Sequence, residues 1–570
     1  MVILSSQPPL WPAQSGRHSD KAEHRARHMV QAVLTEEARE RSSGALERRL
    51  FQNSALILAC RLAAMTLSVV SVPFVIRSLG FRGYGTWEAL MAVSVITAIP
   101  QNVIGGTLLW KMSFAFGLGD KMEIARLVRL GVAVSIGLFT LLFPVVWPLR
   151  RPLVRLLNIS GQFQSAAEWI LPCLIAMILL GGINETLGSV IRGCQRTGMA
   201  TVIQTIASIF NSLSVIGTLF LGAGLWSLLI GYSIAFLLTG IGYRIFATRI
   251  NPGITLKPII PRISDIRPAA KYVSCLLLGT VSASLRTETD KIVLAVFASP
   301  TWTGYYGLAS RLASLVMEAS NFFYVPTIAA VGAMHARNDW ASIRALYAKL
   351  TIVVPLAAGA VVVVVAGLPQ HIMVLWIGRY IPEVYTMLSI LLCGYASAVI
   401  LTGPGTSVCK AIGRIEIETA YVSVSLLLNL GLTVVLVASI GPVGTVVATA
   451  ISWTVGAAMF TFLFHKYIDV DARYTIRAAR SFMAFPITIF AARTLPLLRA
   501  PHGGRATMLM ELPAAGLLVI ALFAGAMVLV GAVPKRAVFA ALTACGRATG
   551  RCNRRVTLLL ELRRRDSGAM

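Results

Sequence analysis

The chain is 570 residues long, with 56% apolar and only 13% charged residues and a mean hydropathy of +0.74. A water-soluble domain needs a charged surface, so this balance excludes an ordinary soluble protein and points to repeated α-helical passage through a bilayer. The net charge of +27 raises nucleic acid as a partner, but the basic residues lie between apolar runs and in the two tails rather than on one face. No zinc-finger or helix-turn-helix spacing accompanies them, so the reading is no nucleic acid.

Residues 1–50 do not read as a signal peptide. Val2–Leu4 is too short for an apolar core, and Pro8, Pro9 and Pro12 interrupt the stretch after it. The charged stretch from Arg17 to Arg49 reads as a partly helical cytosolic extension.

A span needs about 20 mostly apolar residues to cross about 30 Å of hydrocarbon. On that template the sequence predicts an all-α polytopic protein with about 14 spans. They fall near 53–76, 84–109, 124–147, 166–187, 200–221, 225–246, 272–296, 304–332, 350–376, 384–408, 417–438, 443–465, 480–498 and 510–532. The runs are too long, and too lacking in alternation, for barrel strands. The softest assignments are the thirteenth span, which carries Arg493, and the division at Gly441-Pro442.

Lys and Arg set the orientation. With the N-terminus inside, the inner segments hold 38 of the 51 basic residues and the outer loops nine. Both termini are therefore expected in the cytoplasm. The outer loops run to 18 residues at most (148–165), too short for a folded domain. Arg82-Gly83-Tyr84-Gly85-Thr86-Trp87 and Thr303-Gly304-Tyr305-Tyr306-Gly307-Leu308 open the second and eighth spans. Six spans apart, they suggest a repeat. The expected organisation is an N-terminal extension (1–50), an N-lobe of spans 1–6 (51–246), a basic linker (247–271), a C-lobe of spans 7–12 (272–466), spans 13–14 (467–533) and a basic tail (534–570).

Ionisable groups inside spans cost about 2.5–3.5 kcal/mol each on insertion scales, so each is a functional candidate. Arg61, Glu88, Glu185, Arg311 and Glu318 are of this kind, and span 7 holds Arg286, Glu288, Asp290 and Lys291. Arg286 and Asp290 stand at i,i+4, and Glu288 and Lys291 at i,i+3, so these groups can neutralise one another. Arg61 has no acidic residue at i±3 or i±4. One reading gathers Arg61, Arg286 and Arg311 around a central water-filled cavity that binds an anion, for which the guanidinium fork suits phosphate. Separate interhelical salt bridges are the other. Pro100-Gln101-Asn102 with Gly105-Gly106, and Gly181-Gly182-Ile183-Asn184-Glu185, read either as a hinge or cavity wall or as close helix packing.

Enzyme signatures are missing: no phosphate-binding G-x-x-x-x-G-K-[ST], no H-E-x-x-H and no G-x-S-x-G. The eight cysteines form no C-x-x-C pair and read as apolar filler. The expectation is a transporter rather than an enzyme, with no cofactor and no metal site.

Three stretches carry a family resemblance: Val75-Ile76-Arg77-Ser78-Leu79-Gly80 through Trp87; Thr289-Asp290-Lys291-Ile292-Val293-Leu294 with Gly304 through Leu312; and Leu375-Trp376-Ile377-Gly378 with Ala411-Ile412-Gly413-Arg414. Over about residues 50–465 the chain resembles the polysaccharide-type, Wzx-like flippases of the multidrug/oligosaccharidyl-lipid/polysaccharide exporter superfamily. The resemblance implies a two-lobed transporter working by alternating access. It would move polyprenyl-diphosphate-linked oligosaccharide, an O-antigen or exopolysaccharide repeat unit, across the bacterial inner membrane. Arg61, Arg286 and Arg311 are the positions that would receive the diphosphate. The resemblance also implies Na+ or H+ coupling, with Asp290 in the place of an acidic residue of related flippases and Asn429 and Thr449 as further oxygen ligands. It implies a polysaccharide polymerase and a chain-length protein as partners. The N-terminal extension and the Arg-rich tail depart from the pattern. A cation-coupled drug or small-solute exporter of the same superfamily, and a membrane polymerase or ligase, are the rival readings.

Overall fold

The computed structural model describes residues 45–260, 270–468, 473–495 and 505–533. Most of the N-terminal extension, residues 261–269 of the basic linker, Arg499 and the basic tail lie outside the described residues. Helices dominate the described residues, as a chain surrounded by hydrocarbon requires when every backbone group must find its partner within the segment.

The elements in chain order are α1 (Ala45–Ile96), α2 (Ile99–Gly117), α3 (Lys121–Leu156), a 3-10 turn (Gly161–Phe163), α4 (Gln164–Gly193), α5 (Thr197–Phe220) and α6 (Trp226–Ile250). After the linker come α7 (Ala270–Phe297), α8 (Pro300–Ala336), α9 (Trp340–Gly367), the short α10 (Pro369–Trp376), α11 (Pro382–Ala411), α12 (Ile415–Ile440), α13 (Val443–Ile468), α14 (Arg473–Thr494) and α15 (Arg505–Leu529). Among the described residues, nine helices are long and apolar enough to cross a membrane singly, and a tenth span is the pair Val69–Ile96 and Ile99–Gly117 bent by 52°. α7 falls short of that measure because it carries Arg286, Glu288, Asp290 and Lys291 in its middle.

Among the described residues the fourteen predicted spans lie in helices, with three differences. The first two are continuous, broken only at Gly80, whose φ of 69° and ψ of 177° suit a residue without a Cβ. The second span is interrupted at Thr97–Ala98, where Pro100 opens the first turn of α2 and needs no hydrogen-bond acceptor there. The ninth runs ten residues earlier than hydropathy placed it. The Asp339 side chain accepts from the Ser342 backbone N–H at 3.0 Å and starts α9 there. Buried Ile343 and Tyr347 hold its charged first turns against the protein.

Helices α1–α6 pack on one another, α1 against α5, α2 against α3 and α4, and α6 against α4 and α5. Helices α7–α13 form a second group, with α12 on α13, α8 on α11 and α7 on α12. The α14–α15 hairpin rests on α9. The two groups meet through α1 against α7 and α8 and through α2 against α7. Most of the named joints lie at the end that carries the turns at Gly80, Asn158 and Ser299. Asn158, at the end of α3, donates to the carbonyls of Ala295 (3.2 Å) and Val296 (2.6 Å), orphan acceptors of the last turn of α7. The Trp376 indole donates to the Val69 carbonyl at 2.7 Å, and the Arg379 guanidinium stacks on Phe81 at 4.9 Å.

Candidate functional site

The middle of α7 presents Asp290 to the interior of the second lobe, where it is 0% exposed. Tyr306 of α8 donates its hydroxyl to Asp290 Oδ2 at 2.9 Å. The Thr449 hydroxyl of α13 donates to the same oxygen. Asn429 of α12 donates its amide to Thr449 Oγ1 at 2.9 Å. Four helices thus converge on one carboxylate, and every hydrogen bond lands on one side of it. Asp290 Oδ1 and Asn429 Oδ1 are buried acceptors without a partner among the described residues. A buried carboxylate needs a counter-charge or a proton. Two free oxygens beside hydroxyls are a donor set for a hard cation. Among the described residues no group of three His, Cys, Asp or Glu forms a metal-binding cluster.

One residue along, Lys291 turns towards the first lobe. Its ammonium bridges Glu288 Oε2 at 3.0 Å within α7 and Glu88 Oε2 of α1 at 3.2 Å across the lobes. Arg311 of α8 stands within electrostatic range of Glu88 and Tyr84. The two sequence repeats meet beside this network. A Cβ on Gly85 would overlap the Pro300 carbonyl oxygen, and one on Gly304 would stand 2.6 Å from the Phe81 carbonyl oxygen. A Cβ on Gly307 would come within 2.9 Å of Glu88 Cγ. Backbones this close tolerate only glycine.

Arg286 and Arg311 face different neighbours. Arg286 is 8% exposed and lies over the Trp453 ring at 4.3 Å, facing α12 and α13. Its Nε and one Nη have no partner among the described residues. Arg311 lies on the other side of the lobe, towards α1. Arg61 belongs to α1, and its side chain is outside the described residues. Asp290, Asn429 and Thr449 do come together, from positions up to 159 residues apart. Glu185, marked in the sequence as an intramembrane acid, pairs with Arg192 on its own helix.

A family profile described as "Polysaccharide biosynthesis protein" matches residues 124–331. The chain is 21% identical over 436 residues to a protein of Haloferax volcanii named "Probable low-salt glycan biosynthesis flippase Agl15", a match covering 75% of this chain and 86% of that one. Among solved structures, the lipid II flippase MurJ in an inward closed conformation superposes with a TM-score of 0.59 at 14% identity, covering 82% of this chain and 98% of that one. An inward-facing multidrug resistance MATE transporter of the MOP superfamily gives 0.58 at 16% identity, with 73% and 98% covered. The chain is thus similar to polysaccharide biosynthesis proteins and glycan flippases in sequence, and its fold is that of the MOP transporters. The stretch matched by the polysaccharide biosynthesis profile runs from α3 into α8 and contains Asp290, Lys291, Gly304 and Tyr306.

Tyr306 and the Glu88–Lys291 bridge are the parts that residue-by-residue reading missed. Tyr306 had a signal, its place between the two glycines of the second repeat. Glu88 and Lys291 were each visible as intramembrane charges, but a link across 203 positions leaves no local pattern.

Proposed function

We propose that the protein flips a polyprenyl-diphosphate-linked oligosaccharide, an O-antigen or exopolysaccharide repeat unit, from the inner to the outer leaflet of the bacterial plasma membrane by alternating access. One observation carries the reading. Asp290 is hydrogen-bonded to Tyr306, and Tyr306 sits in the turn of α8 whose Gly304 and Gly307 press on α1. A cation held by Asp290 Oδ1 and Asn429 Oδ1 competes with Tyr306 and Thr449 for the charge of the carboxylate. Cation occupancy and lobe contact then share one helical turn. A Na+ or H+ gradient biases the lobes through the difference in affinity between the two states.

Arg61 and Arg311 stand on α1 and α8, the helices that touch across the lobes. They are the groups proposed to hold the diphosphate, which bare hydrocarbon would exclude. Arg286, one turn before Asp290 on α7, is enclosed against Trp453. The balance of Lys and Arg supports both termini in the cytoplasm and an outer-face position for the joined end of the lobes. The 1–50 extension, the 247–271 linker and the 534–570 tail would then all lie inside. A polymerase and a chain-length protein would take the product outside. The name of the Haloferax relative, a glycan biosynthesis flippase, supports the substrate class.

Deletion should trap lipid-linked repeat units on the cytoplasmic leaflet, measured by their inaccessibility to an external glycosidase in spheroplasts. Arg61→Ala and Arg311→Ala should lose polysaccharide export while the protein still inserts. Repeat units reaching the outer leaflet in the deletion strain would refute the flippase reading. Full export by both variants and by their double would refute the arginine assignment alone.

A further inference from the structure

A cavity of about 500 Å³ opens inside the first lobe, between α1, α4, α5 and α6. Its volume falls in the range of small-molecule sites. α5 lines it with Thr201, Gln204, Thr205 and Ser208, spaced i, i+3, i+4 and i+7 on one face. α6 answers with Tyr232, Phe236 and Thr239 at the same kind of spacing. No Asp, Glu, Lys, Arg or His lines it among the described residues.

The polar atoms differ in what they still have to give. Thr201, Thr205 and Ser208 donate their hydroxyl hydrogens to backbone carbonyls one turn back, at 3.0, 2.9 and 2.9 Å. They therefore offer oxygen lone pairs to the cavity. The Gln204 amide and the Tyr232 hydroxyl have no hydrogen-bond partner among the described residues. Asn184 is fixed in the wall by donating to the Phe236 carbonyl at 3.1 Å.

A second orphan stands behind that wall. Gln101, 5% exposed, opens α2 just past the 52° bend, and its Nε2 has no partner among the described residues. It abuts the Gly181–Gly182 step, where a Cβ on Gly182 would lie 3.4 Å from its Cγ. The two amide-and-glycine motifs noted in the sequence are thus two sides of one structure. They brace the wall of a cavity rather than merely packing two helices.

This equipment selects a chemistry. Among the described residues the lining offers a diphosphate no cation. A polyprenyl tail would strand the amide and hydroxyl groups without partners, which apolar burial penalises. An uncharged pyranose fits: its hydroxyls can donate to the Thr and Ser oxygens and bond the Gln204 amide, and its C–H face can lie on Tyr232 or Phe236. We propose that this cavity binds a neutral sugar residue of the lipid-linked substrate. Glycan recognition then belongs to the first lobe and is separate from the cation site at Asp290. The proposal rests on the flippase reading above.

The test is equilibrium binding to the full-length protein in nanodiscs, followed by native mass spectrometry. The probes are undecaprenyl diphosphate and the same lipid bearing one N-acetylglucosamine. The wild type should bind the sugar-bearing lipid about tenfold more tightly, the scale of one or two net hydrogen bonds. The double variant Gln204→Leu/Thr201→Val should bind both lipids equally, with the affinity for the bare lipid kept. Ser208→Trp, which fills the cavity instead of depolarising it, should do the same, and gel filtration checks its fold. No preference in the wild type, or a preference surviving in both variants, overturns the sugar site and leaves the flippase reading intact. Failure of the wild type to bind either lipid overturns both.

Discussion

Glu88→Gln removes the charge of the ion pair that crosses from α1 to Lys291 while preserving the shape of the side chain. Both partners are largely buried, with side-chain exposures of 17% and 15%. Lys291 keeps Glu288 at 3.0 Å, so the change strands no buried cation. The loss is that of one charge-assisted hydrogen bond, about 2 kcal/mol within a usual range of about 1.5–3. At about 1.4 kcal/mol per factor of ten, the balance between joined and separated lobes moves about 30-fold. A protein joined about 100:1 would become joined about 3:1. Spin labels at Leu156 and Phe297, exposed residues at the ends of α3 and α7, flank the Asn158–Val296 contact in a background lacking the eight cysteines. Pulsed dipolar spectroscopy in nanodiscs should then show a longer-distance component growing to roughly a quarter of the population. Glu288→Gln leaves the cross-lobe bond in place and should shift the distribution less. An unchanged distribution in Glu88→Gln, or an equal shift in Glu288→Gln, would refute this account of the closed end.

Two further variants probe the neighbouring chemistry. Asp290→Asn removes the charge that Asn429 and Thr449 surround, and Na+-dependent thermal stabilisation of the purified protein should disappear; if it persists undiminished, the cation lies elsewhere. Gly85→Ala sets a methyl group into the Pro300 carbonyl, and overpacking of that kind costs about 1–3 kcal/mol. The same spin-label pair should report separation of the lobes, whereas an exposed glycine such as Gly137, with nothing within 4 Å of an added Cβ, should tolerate alanine without effect.

Much of the architecture is legible in the sequence because the bilayer simplifies the problem. Long apolar runs have one stable answer in lipid, and Lys and Arg between them carry direction. The boundaries that hydropathy misplaced are those where a different force decides. At α9 it is the Asp339 cap and the buried Ile343 and Tyr347, which extend the helix past its apolar stretch. At α1 it is the Gly80 backbone, which bends the chain without ending the helix. The cluster of Asp290, Asn429 and Thr449 followed from a resemblance, since nothing in local spacing ties positions on three helices together.

The sequence by itself determined that this is a many-helix membrane protein with repeated Gly-Tyr turns and charges embedded in span 7. Those follow from composition and periodicity, which act along the chain. Which charges meet was decided only by tertiary structure. Lys291, by local reading paired with Glu288 on its own helix, also reaches Glu88 in the other lobe. Arg286 lies over Trp453, on a different side from Arg311. The two repeats, legible only as similar, pack directly on each other through Gly85 and Gly304. Burial makes an unpaired charge costly but does not say which partner will relieve it; the packing of helices far apart in sequence makes that choice.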